Sequence, residues 1–96
     1  MDAKADFPTV IIRAAYGDSE ARFEIIFNRY GGGNYQVSKA SEKPGRYWHY
    51  GNCWFDGSRW ICTHEEFTAD DADAIGEAIE RAYGIDKARN PLNFII

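Results

Sequence analysis

The sequence predicts an α+β fold: a mainly antiparallel sheet of about five strands, with one C-terminal amphipathic helix packed on one face. Three observations carry this. Residues 22–29 alternate Phe23, Ile25 and Phe27 with Arg22, Glu24 and Asn28, the two-residue period of a half-buried strand. Asp56-Gly57 stands between two aromatic-rich runs, and such a pair supplies the positive φ that a tight hairpin turn needs. Ala72, Ile75, Ile79, Ala82 and Tyr83 recur at helical spacing behind Thr68 and ahead of Gly84, an apolar stripe with a start and a stop signal.

Taken in order, residues 1–7 read as a frayed tail. Residues 9–15 form a strand that is apolar on both faces except at Arg13, and Tyr16-Gly17-Asp18-Ser19 turns the chain. Residues 22–29 are the clearest strand, with Ile26 interrupting the polar face. The triple glycine 31–33 connects to a strand over 34–41 with Tyr35 and Val37 inward. After a loop through Pro44-Gly45, residues 46–55 and 58–64 make the aromatic hairpin around Asp56-Gly57. Thr68 caps a helix over 69–83, with Asp71 bonding back as in a capping box. Gly84 supplies a left-handed stop and Ile85 the apolar contact that accompanies it. Asn90-Pro91 is a further break, and residues 94–96 are apolar enough to add an edge strand.

A chain of 96 residues suits one domain, 1–96, with no room for two independent cores. Aromatic residues make up 16% of it, and their buried area favours a folded core over disorder. The start of the chain is polar and the apolar runs are too short to span a bilayer, so a soluble, cytoplasmic protein is expected. Cys53 and Cys62 do not make a secreted framework, and reduced thiols are expected.

The net charge of −4 is uneven. Glu65, Glu66, Asp70, Asp71, Asp73, Glu77 and Glu80 fall in a stretch with no Lys or Arg. Direct binding of nucleic acid needs a basic surface and is disfavoured. A basic protein or nucleoprotein partner is the opposite case. Asp70, Asp73, Glu77 and Glu80 lie three, four and three residues apart, so they share one helix side opposite Ile75 and Ile79. Successive carboxylates on such a row stand about 5–6 Å apart, near the spacing of phosphates along a nucleic-acid strand. The plainer reading is a solvated face, with the early acids complementing the helix dipole and Glu77 paired to Arg81.

His49, Cys53, Cys62 and His64 are all the histidines and cysteines of the chain. A two-residue turn at Asp56-Gly57 sets His49 against His64 and Cys53 against Trp60, with the four side chains on one sheet face. A four-residue turn, 56–59, sets Cys53 against Cys62 instead. These residue types suit zinc or an acid–base or thiolate enzyme of nuclease type. The pattern lacks the Cys-x-x-Cys knuckle, and a flat hairpin strings its ligands about 10 Å or more end to end. Two buried thiols and two partly exposed histidines are the plainer reading. No metal or cofactor is expected.

The hairpin also carries Tyr47, Trp48, Tyr50, Trp54, Phe55 and Trp60. One helix cannot cover both faces of the sheet, so some of Trp48, Tyr50 and Trp54 are expected at the surface, on the face that carries Arg59. Trp, Tyr and Arg are favoured anchors at protein interfaces. The expectation is therefore a non-enzymatic binding protein, with Asp70, Asp73, Glu77, Glu80, Trp48, Tyr50, Trp54 and Arg59 as candidate contacts. Its general character resembles that of small acidic phage and mobile-element proteins such as anti-CRISPRs and toxin-immunity proteins, which would imply an inhibitor occluding a basic, nucleic-acid-handling target. A small metalloprotein or enzyme and a homodimer joined through the aromatic sheet face are the alternatives.

Overall fold

Alternation builds the sheet. The computed structural model describes residues 7–16, 19–28, 33–40, 47–63 and 67–94, the side chains of 40 and 47–50 set aside. Strands β1 (Val10–Tyr16), β2 (Ser19–Asn28), β3 (Asn34–Ala40), β4 (Tyr47–Phe55) and β5 (Trp60–Cys62) pair antiparallel in chain order as a meander. Ile12 and Ala14 point inward from β1 while Ile11 and Arg13 face out. Register then aligns apolar rows across strands: Ile12 against Phe23, Ile25 against Val37, and Phe27 against Tyr35, which in turn opposes Cys53. Cross-strand neighbours lie on one face, so these rows form one apolar wall.

Helix α1 (Ala69–Tyr83) covers that wall. Thr68 accepts from the Asp71 N–H and Asp71 accepts from the Thr68 N–H, a complete capping box. The expected bounds and cap therefore hold. Ala72, Ile75, Ala78 and Ile79 are buried, but Ala82 is exposed. It sits at the margin of the sheet, beside a shallow depression shared with Ile12, Arg13, Ala78 and Arg81. Gly76 is buried for a specific reason: a Cβ there would stand 2.0 Å from Cγ of Trp60. The indole lies directly on the helix backbone, a closeness that only glycine permits.

Both ends of the chain depart from expectation. Residues 1–6 lie outside the described region, but Phe7 is part of the core and stacks on Phe27 at 4.2 Å. At the other end Gly84 stops α1 with the positive φ expected of it, 97°, and its N–H donates to the Glu80 carbonyl at 2.7 Å, but its ψ of 146° leads the chain onward and not into a left-handed helical turn. It joins α1 to a second short helix, α2 (Ile85–Arg89), and Ile85, expected to make the apolar contact of the cap, is 59% exposed. The expected edge strand over 94–96 is also absent as far as it can be followed: Pro91–Phe94 is a 3-10 turn, and 95–96 are outside the described residues. Proline lacks an N–H and has a helical φ, so it opens a helical turn more readily than it joins a sheet. Tyr35 ties this region to the sheet through its hydroxyl, which donates to the Ala88 carbonyl at 3.0 Å. Among the described residues, no helix is long and apolar enough to cross a membrane.

Candidate binding face of the hairpin and helix

The β4–β5 hairpin turns on four residues, 56–59. Asp56 Oδ1 accepts from the Ser58 and Arg59 N–H groups at 2.8 and 2.9 Å, and the Asp56 N–H donates to the Arg59 carbonyl at 3.0 Å. Gly57 takes the positive φ, 108°. The backbone N–H groups of Arg59 and Ser58 stabilise the Asp56 carboxylate and hold its pKa below the ordinary value. Asp56-Gly57 is thus at the tip, in a longer loop than a two-residue turn, because an aspartate can bond its own backbone two residues on.

This register decides the cysteines. Phe55 opposes Trp60 and Cys53 opposes Cys62, and the two cysteines are joined as a disulfide. That corrects the expectation of reduced thiols. It also removes both sulfurs as zinc ligands and as a nucleophile in this form. His49 lies in β4 with its side chain outside the described set, and His64 is outside it altogether. No group of three or more candidate metal ligands gathers among the described residues.

The acidic row on α1 is divided. Asp70 and Glu77 are exposed and make no ion pair among the described residues, so the expected Glu77–Arg81 pair is not formed. Asp73, 49% exposed, accepts from Nη2 of Arg59 at 3.2 Å, which reaches over from the hairpin loop. Glu80 is only 11% exposed and does not belong to the solvent face as expected. Its Oε2 accepts from Trp60 Nε1 at 2.9 Å and from Arg89 Nε at 2.6 Å. Burial pushes the Glu80 pKa up, but the Arg89 and Trp60 hydrogen bonds with the Arg89 charge outweigh it, and the carboxyl titrates below its ordinary value. The Arg89 guanidinium also lies over the Phe55 ring, 4.5 Å from its centroid.

Loop 56–59 and α1 therefore enclose an open groove of about 520 Å³ with Trp60 and Glu80 at its floor and Arg59, Asp73 and Glu77 at its rim. A second cleft, about 540 Å³, lies where Trp54 and Asn34 meet Leu92 and Asn93 of the 3-10 turn. Trp54 is half-buried, on the face opposite Cys53 and therefore away from α1. Trp48 and Tyr50 are in β4, but their side chains are not described. The β3–β4 register shifts between Val37 and Lys39, and Trp48 stands opposite Lys39 in it.

Arg89 and the inward role of Glu80 were not visible as site features in the sequence. Gly76 was a usable signal, since glycine in a helix interior costs about 1 kcal/mol and invites a packing reason. Comparison of the chain with protein families, curated proteins and solved structures finds no match.

Proposed function

We propose that this protein is a non-enzymatic binding module for a basic protein or nucleoprotein, gripped along α1 by Asp70, Asp73 and Glu77. The observation that carries this reading is the exposure of Asp70 and Glu77, without ion-pair partners among the described residues, on one helix capped at both ends. They lie seven positions apart, about 10 Å along the axis. Arg59 bridges Asp73 in the free protein, so a partner cation arriving there competes with a weak surface pair. A net charge of −4 adds steering toward a basic target. By chemistry alone, such a ridge suits occlusion of a groove built for nucleic acid, the mode of an anti-CRISPR-like or immunity-like inhibitor in the cytoplasm.

A second reading is favoured by the sheet face away from α1. Ile11 is 51% exposed there, and Ile26, Trp54 and Ile61 are half-buried on the same side. A homodimer or subunit contact would use that surface. An affinity pull-down from the source cell, washed at rising salt, separates the two. The first reading expects a basic partner that elutes with salt and is lost with Asp70→Asn/Glu77→Gln. Retention by that variant together with loss in Trp54→Ala would move binding to the sheet face.

A further inference from the structure

Strand β5 is three residues long and last in the sheet order, paired to β4. It nevertheless carries Trp60, whose ring rests on Gly76 and whose N–H binds Glu80. What holds β5 therefore holds the hairpin against α1. Cys53 and Cys62 face each other with Cα atoms 4.3 Å apart, the close spacing of an antiparallel pair that exchanges no backbone hydrogen bonds. Bonded pairs alternate with it: the Thr63 N–H donates to the Asn52 carbonyl, the Asp56 N–H donates to the Arg59 carbonyl, and antiparallel alternation makes Trp54 and Ile61 the bonded pair between them. At Cys53 and Cys62 the tie is the covalent one. Cys53 is wholly buried in the core, whereas Cys62 is partly exposed.

We infer that the Cys53–Cys62 bond is a redox switch that sets whether β5, and Trp60 with it, stays docked on β4 and α1. The reductant is a dithiol. Its thiolate attacks Sγ of Cys62, the S–S bond breaks, and Cys53 leaves as a thiolate that takes up a proton. The second thiol of the reductant then displaces Cys62, which is released as a thiol, and the reductant departs as its own disulfide. Two electrons and two protons pass to the protein, and an oxidised dithiol reverses the exchange. Cleavage removes the covalent constraint from a short strand at the end of the sheet, where local opening is least opposed by packing. Loosening β5 also loosens Arg59, next to Trp60, and with it the bridge to Asp73. This last consequence, a more available acidic ridge in the reduced form, rests on the proposed binding function. The switch itself does not.

Amide hydrogen exchange on the whole chain, with and without dithiothreitol, tests it without any partner. Mass spectrometry confirms the gain of two hydrogens. The expected result is exchange at Ile61 at least about tenfold faster on reduction, with Phe23 and Ile25 of β2 changed by less than about twofold. Addition of oxidised dithiothreitol should restore the slow rate. Cys53→Ala/Cys62→Ala should exchange fast at Ile61 in both conditions, and if that variant does not fold, the wild-type comparison decides alone. Equal exchange in the two forms, an equal rise in β2 and β5, or a bond that resists dithiothreitol until the protein unfolds would each overturn the switch.

Discussion

On β1–β3 the helix-facing positions are filled by side chains such as Ile12, Phe23, Ile25 and Val37, buried without a polar bond between them. On β4–β5 the same face holds a disulfide and an indole bonded to Glu80, with Arg89 completing the cluster. The first region is held by area removed from water, which depends little on direction. The second is held by directed bonds, whose loss leaves a buried polar group unpaired. A helix that spans both regions must present different residues to each. Hence Ile75 and Ile79 serve one, while Gly76 and Glu80 serve the other.

The largest expected effect lies in the apolar region. Ile79→Ala should lower unfolding stability by about 2–4 kcal/mol in denaturant titration, as deletion of buried methyl groups does. A loss below about 1 kcal/mol would mean that the helix does not rely on that wall. Gly76→Ala probes the other region. The added methyl meets the Trp60 ring, so a net loss of about 1–3 kcal/mol is expected, although alanine is the better helix former. The Trp60 fluorescence should shift with it. A stabilised variant with unchanged emission would show that the indole does not rest on the helix.

Acidity should act on the directed bonds first. The Glu80 pKa lies below its ordinary 4.5. A lowered folded-state pKa gives stability that is present above the unfolded value and lost as pH falls through the folded one. Acid titration of wild type below pH 4.5 should therefore show a loss that Glu80→Gln largely lacks. At the alkaline end burial pushes the Tyr83 phenol up to about 12. Its contribution is intact below 10.0 and should fade between 10.0 and about 12.

The difference between the regions also explains what could be read from the chain. Period alone placed Phe23, Ile25, Tyr35 and Val37 inward, and Thr68 with Asp71 placed the start of α1, because these signals are local. The Asp56 loop was ambiguous, since two- and four-residue turns both suit Asp-Gly and differ by contacts the sequence does not state. Glu80 was misplaced for a similar reason. Its spacing puts it beside Glu77, but Trp60 and Arg89 arrive from elements that helical periodicity does not see. The C-terminal apolar run has the composition of a strand, whereas Pro91 starts a 3-10 turn whose Leu92 packs on Gly33.

One acidic row on α1 divides its work: Glu80 anchors the hairpin, and Glu77 stays at the surface, where the proposed partner would meet it. Denaturant unfolding of Glu80→Gln and Glu77→Gln in parallel separates the two roles. Glu80→Gln should lose about 1–3 kcal/mol, because its charge-assisted hydrogen bonds to Arg89 and Trp60 are weakened. The exposed Glu77→Gln should change stability by no more than about 0.5 kcal/mol. Equal effects from the two substitutions, large or small, would show that the row is not divided in this way.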